Sequence, residues 1–231
     1  MLVSLAVAAL AGAQLSVPPV RYPEAPARAV TPDGFAPSGW TVEHEAHGDL
    51  NGDGAPDMAL VLRDRDPRNI IDHDGLGQNP WDTNPRMLLI ALSDGVEYRR
   101  VAVDTELIPR SDSPTLEDVL SDVEGPAIRR GSLRVSVGRF MSAGGWGMGR
   151  RTFTFRLNAE RFQLIGFDDL DMHRGSGEWT ERSINYVTRR MSVTTGNIGD
   201  SRERETWRAA PGDGPIWLED VGDGLAFEPE G

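Results

Sequence analysis

From residue 39 onward, short apolar runs with strand character are separated by turn residues. The segment "GWTVEHEA" leads into an acidic loop, and "MALVLRD" leaves it. "MLLIALSDGVEYRRVAV" reads as two strands joined at Asp94-Gly95, a dipeptide favoured in tight hairpin turns. "GSLRVSVGRF" alternates apolar with other residues, and "RTFTFRLNAERFQLIGFDDL" predicts a second hairpin turning at Asn158-Ala159-Glu160. "SINYVTRRMSVTT" and "RETWRA" supply later strands. One solvated surface helix is expected in "SDSPTLEDVLSDVEGP", with Ser113 as N-cap, Pro114 at the first helical position and Gly125-Pro126 as the stop. No fixed-period repeat is visible, which argues against a multi-blade propeller. The pattern predicts an all-β fold, mainly an antiparallel meander forming a sandwich or barrel-like sheet, with at most one or two short helices.

The first 38 residues depart from that pattern. Residues 2–10 form an apolar run too short to span a bilayer, and Ala11-Gly12-Ala13 follows as a small-x-small cleavage site. Residues 1–13 therefore read as a secretory signal peptide, although no basic residue precedes the apolar run. Export to a bacterial periplasm or the extracellular space is expected, with no membrane span after cleavage. Residues 14–38, with "VPPVRYPEAPARAVTPDGFAPSG", read as a proline-rich linker or surface-hugging arm. A single β-rich domain is expected over 39–231, with a strand–loop–strand unit at 41–63.

Composition removes several chemistries. The 231 residues contain no cysteine, which excludes disulfides, thiolate zinc sites and thiol nucleophiles. All 24 basic residues are arginine, so Schiff-base and Ser-Lys catalysis and a P-loop lysine are also excluded. The net charge of −12 repels phosphate backbones and anionic lipid heads, so no nucleic-acid partner is expected. Acidity suits a divalent cation or a cationic partner better.

The stretch "HGDLNGDGAPDMALVL" carries the most specific chemistry. Asp49, Asn51 and Asp53 occupy alternate positions, Gly54 allows a sharp reversal, and Asp57 follows at position nine counted from Asp49. With the carbonyl of Ala55, these residues offer five or more oxygens to a hard cation. All-oxygen donors with net negative charge select calcium over zinc or copper. Leu60 stands where an EF-hand has its bidentate glutamate, and the flanks read as strands, with Asp57 as the closing carboxylate. The bland alternative is an Asx-rich turn without metal, against which the repulsion of three crowded carboxylates counts.

On these residues the loop resembles the calcium loop of FG-GAP or VCBS-type repeats, over about one repeat. "NPRMLLIAL" (Asn84 to Leu92), "TFTFRLNAERFQLIGFD" and "GSGEWTERSINYVTRR" extend the resemblance, over about residues 45–196, to exported bacterial proteins of unknown function carrying one such loop. Here Arg189 follows Thr188 where that group continues into a Thr-Gly turn. The resemblance implies a β-rich fold, a calcium site and an exported location, and it implies no reaction.

Other candidates are weaker. His44 and His47 in "HEAHG" lack metalloprotease spacing. Asp168, Asp169, Asp171 and His173 in "FDDLDMHRGSGE" bring carboxylates near a base and support an alternative reading as a periplasmic hydrolase. "DHDGLGQ" begins like a second acidic loop but lacks its later acids. "SAGGWGMGRR" reads as a bulged turn with Trp146 at its tip, available to stack on a sugar or peptide. The favoured expectation is a non-enzymatic, calcium-binding exported module for an unknown protein or carbohydrate partner. A hydrolase and a metal-free structural domain stay open beside it.

Overall fold

A computed structural model describes residues 15–229. The expected signal peptide and the first residue of the arm lie outside the described residues. In chain order the strands are β1 (Arg28–Ala29), β2 (Trp40–Gly48), β3 (Asp57–Asp64), β4 (Ile70–Ile71), β5 (Trp81–Asp82), β6 (Arg86–Ser93) and β7 (Tyr98–Asp104). They continue as β8 (Ala127–Arg129), β9 (Ser132–Phe140), β10 (Gly147–Asn158), β11 (Arg161–His173), β12 (Glu178–Asn185), β13 (Arg190–Asn197) and β14 (Asp200–Ala209). One four-residue helix, α1 (Leu218–Val221), and two 3-10 turns complete the elements. The fold is all-β, as the alternation predicts. Among the described residues no helix is long and apolar enough to cross a membrane.

Two large antiparallel sheets and a two-stranded ribbon, β4-β5, organise the described residues. The smaller has the order β1-β7-β6-β3-β2. The larger is a meander, β14-β13-β12-β11-β10-β9-β8, in which every strand pairs with its sequence neighbour. Both predicted hairpins form. Gly95 has φ +88° in the β6–β7 turn, and Ala159 has φ +56° between β10 and β11. Opposite Thr154 and Phe155 the register skips Ile165, and this extra residue lets Phe162, Leu164 and Phe167 all reach the core.

The unbroken apolar runs of β3 and β6 mark central strands buried on both faces. Ala59, Val61, Leu88 and Ile90 join Val135, Val137, Phe153 and Phe167 of the larger sheet in one shared core. Met58, Leu60, Leu62, Met87 and Leu89 face the other way, into a second cluster. The proline-rich arm covers that cluster with Ala25 and Phe35, both buried, and pairs β1 with β7 along the sheet edge.

The expected helix at Ser113–Glu124 does not form. Leu116, Val119 and Leu120 have helical spacing and are all buried, but the backbone is used elsewhere. Glu117 N–H donates to the Phe140 carbonyl, Ser142 N–H to that of Thr115, and Gly138 N–H to that of Val119. The segment thus runs beside β9 where β8 has ended. Pairing with an open edge strand satisfies those amides while burying the leucines, which outweighs a modest helix propensity.

An ionic network ties this segment to the smaller sheet. Glu43 accepts from Arg86 Nε at 2.5 Å and from Arg63 at 2.7 Å, and Asp118 accepts from Arg86 at 2.7 Å. The Arg86 side chain is 8% exposed. Burial works against ionised Glu43 and Asp118, yet the arginine bonds overcome it and hold both carboxyls below their usual range. A depressed folded pKa gives stability that is present above the unfolded value and lost as pH falls through the folded one. Melting temperature is therefore expected to drop as pH goes below about 4, where free carboxyls protonate. Glu43→Gln should flatten that drop, as a melt series over pH would show. An equally steep drop in the variant would assign the acid sensitivity elsewhere.

Candidate metal centre and the acidic strand

The acidic loop joins β2 to β3, so its two ends leave from adjacent antiparallel strands, Gly48 opposite Asp57. Gly52 and Gly54 have φ +84° and +86°, left-handed values that glycine adopts without strain. Side-chain oxygens cap the turn from within. Asp49 accepts from Gly52 N–H at 2.6 Å and from Gly54 N–H at 2.9 Å. Asn51 Oδ1 accepts from Asp53 N–H, and Asp53 accepts from both Ala55 N–H and the Asn51 amide. The Ala55 amide and then Asn51 hold the exposed Asp53 carboxyl below its ordinary value.

Asp57 differs from the others. It is fully buried, and each of its oxygens accepts a backbone amide, Leu50 N–H at 2.7 Å and Ser93 N–H at 2.9 Å. Burial pushes its carboxyl up against the pull of those amides, and the negative charge of Asp53 adds to the rise. Asp57 thus pins the loop to the end of β6, a role that spacing alone does not reveal.

Asp49, Asn51 and Asp53 therefore gather around one turn, whereas Asp57 sits beneath it. Among the described residues no three His, Asp or Glu side chains stand close enough together to hold a metal ion. The chemistry of the set is right for a hard cation: oxygen donors, two carboxylates at the surface and a reversed backbone. Each oxygen of Asp49 and Asp53 accepts one hydrogen bond, as those of Asp57 do, but Asp49 and Asp53 lie at the surface whereas Asp57 is buried. "DHDGLGQ" docks elsewhere, since Gln78 bonds to Pro114 and Glu117. His44 packs against Gly125, and His47 is exposed.

The acids near His173 lie along β11, and strand alternation divides them. Asp169, Asp171 and His173 share one face, and Asp168 is on the other. Asp169 is buried between Arg151 and Arg182, Asp171 pairs with Arg139 at 3.0 Å, and Asp168 accepts the Ser183 hydroxyl at 2.7 Å. His173 Nδ1 is bonded within its own turn by Ser176. The aspartates are thus engaged by arginines and a hydroxyl, while the Ser176 hydroxyl that meets His173 Nδ1 also donates to the Glu178 carboxylate at 3.1 Å. Asp169, Asp171, His173 and Glu178 line one open hollow of about 600 Å³, in which arginines hold the two aspartates.

Trp146 stands just before β10, 65% exposed, and its carbonyl accepts Arg174 N–H. No protein-family model, curated protein or solved structure matches the chain.

Proposed function

We propose that the protein is an exported, non-enzymatic binding module of the FG-GAP or VCBS kind, in which calcium stiffens the β2–β3 loop. The observation that carries this reading is the inward capping of the loop, with Asp49 on two glycine amides and Asp53 beside Asn51. Asp49, Asn51, Asp53 and the Ala55 carbonyl would hold the ion, with water completing the shell. Asp57 supports the base of the loop through Leu50 and Ser93. Bound calcium would offset the repulsion between two exposed carboxylates and fix the turn between the two strands.

A thermal melt with excess EGTA against about 10 mM calcium tests it. A dissociation constant of about 0.1–1 mM is usual for extracellular modules. Mass action then gives about 1.4–2.7 kcal/mol. At about 2–4 °C per kcal/mol for a chain of this size, the expected shift is several degrees. It should vanish in Asp53→Ala. Identical melts of the parent protein in calcium and in EGTA would sink the reading. The hydrolase alternative stays the second reading, since His173 shares a hollow with Asp169, Asp171 and Glu178 while arginines pair with the two aspartates.

A further inference from the structure

Of the chain's seven asparagines, only Asn51 is followed by glycine. The backbone nitrogen after an asparagine can attack that asparagine's own side-chain carbonyl carbon, and a side chain on the following residue stands in the way. Asn79 and Asn84 precede prolines, which have no N–H to give up. Asn69, Asn185 and Asn197 precede Ile70, Tyr186 and Ile198, and Asn158 precedes Ala159. Gly52 has no Cβ, and one built there would meet nothing within 4 Å. Asn51 and Gly52 are both exposed, so water reaches the peptide between them.

The β2–β3 loop also holds each reacting group. Asn51 Oδ1 accepts from Asp53 N–H at 2.9 Å. That Asx turn folds the side chain back over its own following peptide and polarises the carbonyl toward attack. The nucleophile, Gly52 N–H, donates to Asp49 Oδ1 at 2.6 Å, so a carboxylate stands in place to accept its proton. The leaving group, Asn51 Nδ2, donates to Asp53 Oδ2 at 2.8 Å.

We propose that Asn51-Gly52 is a self-processing site, at which the loop deamidates itself through a cyclic imide. Gly52 N bonds to Asn51 Cγ, its proton passes by way of Asp49 to the departing amide, and the Cγ–Nδ2 bond breaks to release ammonia. Water then opens the imide at one carbonyl to give aspartate at position 51, or at the other to give isoaspartate. One water is consumed and one ammonia leaves, with no oxidant or cofactor. The reaction stands apart from the calcium reading, and only its consequence rests on it. In the aspartate product, Asp53 Oδ2 faces a carboxylate where it had an amide donor. The loop thereby loses a cap, gains a third surface carboxylate and depends more on a cation.

The test holds the full chain for weeks at physiological pH and temperature, then cleaves it after arginine for mass spectrometry, against a sample cleaved at once. The peptide spanning 29–63 is expected to gain the mass of an amide-to-acid exchange, while those carrying the other asparagines stay unchanged. The native rate should lie within about tenfold of the rate in urea, where only the dipeptide acts. Asn51→Gln should abolish the gain, and Asp49→Asn should slow it about threefold or more, with melts checking that each variant folds. A gain in urea but none in the native chain would overturn the proposal, because the caps would then shield Asn51. A rate unchanged or raised in folded Asp49→Asn would reduce the site to its dipeptide and overturn it as well. Asn51→Asp, which supplies one product directly, should melt below the parent in EGTA and gain more from calcium. Deamidation with no calcium shift in the parent melt keeps the self-processing site and removes the calcium reading. A calcium shift without deamidation does the reverse.

Discussion

Asp57→Ala is expected to melt about 10 °C below the parent protein, in EGTA as well as in calcium. The side chain is fully buried and accepts two backbone amides, Leu50 N–H and Ser93 N–H. Stranding a buried donor costs about 1–3 kcal/mol, so the pair costs about 2–5 kcal/mol after relief of the buried charge. At about 2–4 °C per kcal/mol, a change of that size is visible in any melt. Asp57→Asn keeps one carbonyl acceptor but turns an NH₂ toward an amide, and should fall between the two. A drop confined to calcium-containing buffer would make Asp57 a metal ligand first and a staple second. A drop of less than about 2 °C in EGTA would refute the staple, because it leaves under 1 kcal/mol for two buried amides.

Glu43→Ala should be at least as damaging. Its carboxylate is 15% exposed and binds Arg86 twice and Arg63 once. Removing one partner of a buried ion pair leaves uncompensated charge and typically costs about 3–5 kcal/mol. Asp118 and Asp82 stay in place and recover part of that loss. A fall of about 10 °C or more is expected, together with earlier proteolysis of residues 113–124, whose Asp118 is held by the same arginines. Conversely, Glu43→Leu with Arg86→Met, an apolar replacement of the pair, should restore much of the stability. A single Glu43→Ala variant that melts with the parent would show that Asp118 and Asp82 alone satisfy both guanidiniums.

The β6–β7 and β10–β11 hairpins were legible because a tight turn and two alternating runs are local signals. The helix expected at Ser113–Glu124 was a misreading with a specific cause. Leu116, Val119 and Leu120 carry the spacing of a helix face, and nothing local shows that β9 presents an open edge beside them. The loop from Asp49 to Asp57 was legible as a tight acidic turn, since its glycines and side-chain caps are all within nine residues. The division of labour inside it was not. Asp57 is set apart by Ser93, 36 residues away. Likewise, Asp168 to His173 read as one cluster in sequence, but strand alternation sets Asp168 on the other face, and arginines from β9, β10 and β12 pair with Asp169 and Asp171.

The sequence by itself determined the fold class, most strands, the sharp turns and the absence of thiol and lysine chemistry. Each of these depends on residue identity or on neighbours within a few positions, where propensity and periodicity act. Tertiary structure alone decided which face of each strand is core and how the Glu43–Arg86–Asp118 network closes. Those features depend on register between strands, and register is fixed by turn geometry and burial summed over whole sheets.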